Sequence, residues 1–288
     1  MQFNGLFIGL TTIDIQYFVN TFPKSNKKVK TVAPDVLVGG PATNAAVAFS
    51  KLNNGAFLSS PIGENPFKLF CREDFNQNGL THFDIVEKQN TNPVIASVIT
   101  SIESGDRNIF THHPETINPE ITPKELFENT APEILLLDGF YPEFSIECAK
   151  LAKAHDIPVI IDGGSWKPQY NVLLEFTDVI ICSRDFYPPN CGSTKQVINF
   201  LQNKNIKNIA ISRGEKDILF HTINNRGVVS VSKTEVVDTL GAGDFLHGAF
   251  CFYYLKKNDF QDALKKASQI ASFSCQYKGT RDWLKLLK

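Results

Sequence analysis

The sequence predicts an α/β fold: a central, mainly parallel β-sheet flanked by helices, with a small second sheet beside it. Three observations carry this. From about residue 55 onward, short apolar runs rich in β-branched residues alternate with longer segments that have one apolar stripe, the rhythm of strands joined by crossover helices. Two segments, 13–38 and 93–110, break that rhythm with extended patterns that leave no room for a helix. The length, 288 residues, suits one large domain with an appended subdomain and is too short for two catalytic domains.

The clearest strands fall at 134–137, 158–161, 178–181 and 208–211, each short and aliphatic enough to be covered on both faces. Between them, 144–155 and 194–203 carry apolar residues at helical spacing. Beyond residue 211 the pattern changes to an antiparallel pair, 217–221 and 227–231, turned by Asn224, Asn225, Arg226 and Gly227. Two long helices should follow. The segments 13–38 and 93–110, punctuated by Pro23, Ser25, Asn26, Ser104 and Gly105, form either ordinary surface hairpins or one small sheet placed as a lid over a cleft. In the lid reading, Ile13, Ile15, Phe18, Val36, Val94 and Val98 supply an apolar face, which a second subunit's lid could cover.

Composition narrows the functional classes. With 29 Lys and Arg against 30 Asp and Glu, there is no global field to hold nucleic acid or an anionic membrane. Residues 1–10 lack the features of a signal peptide, and no stretch reaches the length of a membrane span, so a cytoplasmic protein is expected. The cysteines, Cys71, Cys148, Cys182, Cys191, Cys251 and Cys275, show no paired close spacing and read as reduced, buried thiols.

The sharpest local signal is Val237, Asp238, Thr239, Leu240, Gly241, Ala242, Gly243 and Asp244, followed by an apolar helical stretch at 245–254. Small residues at a helix start bring backbone N–H groups together at its positive end, which suits a phosphoryl group gaining charge during transfer. Asp244, in the first turn, either caps the helix or accepts the proton of an attacking hydroxyl. No lysine follows the glycines, so this is not a P-loop. Near the other end, Gly39, Gly40, Pro41, Ala42, Thr43 and Asn44 open a second helix. There the glycines permit close backbone approach, Pro41 suits the first turn, and Asn44 offers a donor and an acceptor to a polyol. Asp14, taken alone, reads as a solvated loop charge.

Together the run 238–248 and the run 39–48 resemble the two signatures of the ribokinase-like (PfkB) carbohydrate kinases, and the resemblance extends from residue 6 to about residue 279. It implies a ribokinase-like fold in a single domain over 1–288, with a lid from 13–38 and 93–110. It further implies an ATP-dependent sugar kinase in which Asp244 is the general base and the amides of Gly241, Ala242 and Gly243 form the anion hole. Asp14, Gly40 and Asn44 would bind the sugar; Ser183, Ser212 and Gly214 would contact the nucleotide; Asp238 would serve a monovalent cation such as potassium. A nucleoside kinase of the same fold, or a non-catalytic ligand-binding relative, are the alternatives. One departure bears on magnesium: many relatives carry an asparagine and, three residues later, a glutamate where this chain has Ser183 and Phe186. Asp185 or Asp162 would then help order the magnesium water shell, or ATP and water would hold the ion themselves. The expected partners are a small sugar and a second copy joined through the lid.

Overall fold

In the computed structural model, which describes residues 2–31, 33–91, 93–104, 107–113 and 117–287, both the large and the small sheet are present. The chain runs β1 (Gly5–Ile8), β2 (Thr12–Val19), β3 (Asp35–Gly39), α1 (Pro41–Asn53), β4 (Ala56–Ser60), α2 (Lys68–Gln77), β5 (Leu80–Asp84), β6 (Val94–Ser101) and β7 (Arg107–Thr111). It continues with α3 (Pro123–Thr130), β8 (Ile134–Leu137), α4 (Pro142–Ala154), β9 (Val159–Gly163), the short α5 (Tyr170–Leu173), β10 (Val179–Ser183) and α6 (Thr194–Asn203). Last come β11 (Asn208–Arg213), β12 (Lys216–Thr222), β13 (Arg226–Val229), α7 (Ala242–Lys257) and α8 (Phe260–Ser274).

The large sheet is ordered β13-β12-β11-β10-β9-β8-β1-β4-β5. It is parallel from β11 to β5, and β12 and β13 extend it antiparallel. Both faces are covered, which is why its strands read as unbroken aliphatic runs. Phe7, Ile134 and Leu136 face the side covered by α1, α7 and α8, whereas Leu6, Ile8, Leu135 and Leu137 face the side covered by α3, α4 and α6. No helix among the described residues is long and apolar enough to cross a membrane.

The segments 13–38 and 93–110 contribute one four-stranded sheet, ordered β3-β2-β6-β7, in which β2 and β6 run parallel. Gly105, expected in the turn of this region, lies outside the described residues. The side-chain parity differs from the single apolar face expected. Cross-strand partners share a face, and the register pairs Ile13 with Val38 and Ile15 with Val36, but Gln16 with Val98 and Phe18 with Thr100. Phe18, Val94 and Val98 therefore lie with Asp14 and Gln16 on one face; Ile13, Ile15 and Val36 lie on the other. Val94, Val98, Asp14 and Gln16 are buried, while Val36, Ile95 and Phe110 on the opposite face are exposed.

Candidate active site

The site forms where the carboxyl ends of the parallel strands meet the first turn of α7. The loop before α7 is held by Asp238, whose Oδ1 accepts the Leu240 N–H at 2.9 Å and whose Oδ2 accepts Gly279 N–H and Gln16 Nε2, both at 3.0 Å. The Ala242 N–H turns back to the Thr239 carbonyl at 3.3 Å. Gly241, Gly243 and Asp244 have amides with no hydrogen-bond partner among the described residues, and the space beside Gly243 is open. This leaves unsatisfied N–H groups at the positive end of a 16-residue helix.

Asp244 is half-buried in that first turn, and its Oδ2 accepts a 2.8 Å hydrogen bond from Asn44 Nδ2. The two side chains come from helices that pack closely, because Gly248 of α7 lies against the α1 backbone at Ala45. Loss of solvent around the carboxyl, reinforced by the charge of Asp162, pushes Asp244 up to about 7; the Asn44 bond and His247 pull the other way. Asp14, at the start of β2, is buried, accepts the Thr12 hydroxyl at 2.6 Å, and is raised by burial against the opposing effects of Thr12 and Arg281. Gly40 sits at φ 103°, where a Cβ would stand 2.8 Å from the Leu10 carbonyl carbon, so this approach of β3 to the end of β1 requires glycine.

Asp162 is the penultimate residue of β9, and its Oδ2 lies 3.5 Å from Nδ1 of His247. The His247 ring bridges α7 to the sheet, with Nδ1 2.7 Å from the Gly243 carbonyl and Nε2 2.9 Å from the Ile181 carbonyl. Asp185, by contrast, is exposed beyond β10, 3.9 Å from Arg184. Phe186 turns inward, fully buried against Trp166 and Tyr170. Ser183 donates to the Gly164 carbonyl at 2.7 Å and accepts from the Asp185 N–H, and Ser212 donates to the Cys182 carbonyl at 3.2 Å. Gly214 turns the β11–β12 hairpin at φ 66° with open space beside it. Arg213 bonds back to the Asp217 carbonyl.

Three further residues in the site were not anticipated. Asp138, after β8, accepts N–H bonds from Leu10 and Ala42 on one oxygen and from Phe140 on the other, so it caps α1 from across the sheet. Burial pushes it up to about 6. Asp74 of α2 and Arg281 pair at 3.0 Å, and Arg281 Nη1 donates to Asn44 Oδ1 at 2.9 Å. Arg281 lies 237 positions from Asn44, and no local pattern marks it.

The family model for pfkB family carbohydrate kinases matches residues 4–285. The chain belongs to that family. Like its relatives it is a carbohydrate kinase, a phosphotransferase of the sugar and nucleoside kinase group. A deoxyribokinase from Salmonella typhi is 24% identical over 95% of this chain and 93% of its own. A nucleoside kinase from Methanocaldococcus jannaschii is 24% identical over 94% and 90%. The structure of Arabidopsis thaliana ribokinase complexed with ribose and ATP superposes with a TM-score of 0.79, covering 100% of this chain and 99% of that one at 24% identity. A likeness at that identity shows the shared ribokinase fold.

Proposed function

We propose that this pfkB-family protein transfers the γ-phosphoryl group of ATP to a hydroxyl of a small carbohydrate, with Asp244 as the general base. The observation that carries the reading is the Asn44–Asp244 hydrogen bond, which joins the two glycine-bearing signatures, 200 positions apart, at the amino end of α7. Asp14, Gly40 and Asn44 orient the sugar beneath the small sheet, which serves as the lid. The hydroxyl oxygen attacks the γ-phosphorus, its proton passes to Asp244, and the bond from phosphorus to the bridging oxygen breaks to release ADP. The free amides of Gly241, Gly243 and Asp244 face the charge that develops on the phosphoryl oxygens, with Ala242 held in the turn between them by its bond to the Thr239 carbonyl. A base raised to about 7 is matched to taking a proton near neutral pH. Ser212 and Gly214 border the nucleotide through their position at the end of β11, and Ser183 through its position at the end of β10.

Among the described residues no group of three or more His, Cys, Asp or Glu side chains could hold a metal alone. That fits magnesium, which keeps several waters and takes one or two carboxylates beside substrate phosphates. Asp162, at the strand end beside Asp244, would face its water shell, and Asp185 stands out in solvent. Bound there, magnesium would neutralise phosphate charge. At Asp238 three N–H donors hold the carboxylate, and a monovalent cation there would take the remaining lone pair of Oδ1, with Gln16 Oε1, buried without a hydrogen-bond partner among the described residues, as a second oxygen close by. No step is routed through one.

The assay that tests the reading is ADP release with ketohexoses, aldopentoses and nucleosides as acceptors. Turnover with a sugar supports it; turnover with nucleosides alone transfers the same chemistry to a nucleoside kinase, in keeping with the Methanocaldococcus relative. No turnover with any acceptor, while ATP or sugar still binds, would mark a ligand-binding homologue.

A further inference from the structure

Arg281 reaches the site without offering a single donor to a substrate. Its Nε donates to Asp74 Oδ1 at 3.0 Å; Nη1 donates to Asn44 Oδ1 at 2.9 Å and the Thr280 carbonyl at 3.1 Å; Nη2 donates to Asp74 Oδ2 and the Val38 carbonyl, both at 3.0 Å. All five guanidinium N–H groups are thus committed within the protein. A guanidinium can only donate, and an ionised carboxylate can only accept. Asn44 stands between one of each, so a single orientation of its amide satisfies both neighbours: oxygen toward Arg281, nitrogen toward Asp244.

We propose, building on the assignment of Asp244 as general base, that Arg281 is a positioning residue for it: by locking the Asn44 amide, Arg281 commits Asp244 Oδ2 to Asn44 and reserves Oδ1 for the proton of the attacking hydroxyl. Asp244 Oδ1 carries no hydrogen bond among the described residues. Asp74 of α2 holds the guanidinium in place from the far side, with both side chains only 15% exposed. The charge of Arg281 also acts on Asp14, so one fixed cation serves the carboxylate on the sugar side as well as, through Asn44, the base. The groups facing Asp244 come from every neighbouring element: Asp162 from β9, Asp14 from β2, His247 from α7 and Asn44 from α1. Asn44 favours the ionised base, and a loosened amide withdraws that help.

The test compares Arg281→Gln, Arg281→Lys and Asp74→Asn by the pH profile of kcat in protein whose near-ultraviolet circular dichroism matches wild type. Arg281→Gln should lower kcat about tenfold or more, leave the KM for ATP within about twofold, and move the acid limb up by about 0.5 pH unit or more. Arg281→Lys, which keeps the charge but not the fork, should fall between Arg281→Gln and wild type. Should Arg281→Gln not fold, Asp74→Asn is judged on the same limb, with a smaller shift in the same direction. A folded variant that loses thermal stability but keeps the wild-type limb overturns the proposal and leaves Arg281 a structural clamp. Asp244→Asn separates the two readings: near-wild-type turnover there sinks the base itself, whereas a dead Asp244→Asn beside unshifted Arg281 and Asp74 variants sinks only the relay.

Discussion

Gly248→Ala should damage activity and stability together, because Gly248 is where α7 touches the backbone of α1. A Cβ built there would stand 2.7 Å from the Ala45 carbonyl carbon and 2.9 Å from Ala45 Cα, and closer still to the Ala45 oxygen. Carbon atoms in contact settle at about 3.5 to 4.0 Å, so the helices must separate by roughly 1 Å. Overpacking of this kind costs about 1–3 kcal/mol. Asn44 precedes Ala45 on α1, and Asp244 lies one turn before Gly248 on α7, so the same displacement stretches their 2.8 Å hydrogen bond past useful length. Misplacement by about 1 Å in a catalytic constellation can cost on the order of a hundredfold in rate. Thermal unfolding and kcat on purified Gly248→Ala should therefore both fall. Adding Ala45→Gly should not restore either, since the clash is with backbone atoms that glycine retains. A melting temperature and kcat equal to wild type, or rescue by Ala45→Gly, would refute the argument.

Asp244→Asn should lower turnover by about a hundredfold or more with nucleotide binding retained. The same variant should melt higher than wild type at pH 8: the folded carboxyl is raised from 3.8 to about 7, so its ionisation destabilises the native state progressively as pH rises through that window, a loss that asparagine avoids. A lower melting temperature at pH 8 would contradict the burial argument. In magnesium titrations, Asp162→Ala should need more of the ion for half-maximal rate while Asp185→Ala follows wild type; the reverse order, or full activity in EDTA, rejects the assignment. The exposed face bearing Val36, Ile95 and Phe110 should pair with a second copy, so dilution should weaken sugar binding before the chain unfolds. Light scattering that finds a monomer at high micromolar concentration, with constant sugar affinity, removes the lid dimer.

The sheet was legible because its strands are covered on both faces, which forces unbroken aliphatic runs such as 134–137, 178–181 and 208–211. Both glycine-bearing segments were legible for a different reason: a helix start with left-handed backbone, as at Gly40 and Gly241, tolerates few residue types. The strands of the small sheet were visible, but the face they present was misread where alternation was ignored, since Ile13 and Ile15 differ in parity from Phe18. Asp162 and Asp185 each follow an apolar run in the sequence, yet one is the penultimate residue of β9 inside the site and the other stands in solvent; only the strand ends distinguish them. Asp138, Asp74 and Arg281 carry no local signature, because each acts on a partner brought near by topology rather than by spacing.

Two long-range contacts of the site come from one short stretch. The Gly279 N–H bonds Asp238, which shapes the loop before α7, and Arg281 bonds Asn44, which meets Asp244 in the first turn of α7. Trp283, fully buried with its ring 4.8 Å from Phe245 and its indole N–H on the Thr280 carbonyl, fixes that stretch against α7. Burying a side chain of this size supplies about 3 kcal/mol, which offsets a large part of the entropy cost of ordering the stretch around it. The segment 279–283 is thus the common support of both signatures. In physical terms, the loop before α7 and the Asp244 carboxylate, the proposed anion hole and base, are aligned by one apolar anchor and two hydrogen bonds whose donors lie outside either motif, so the motifs alone do not define the geometry of the site.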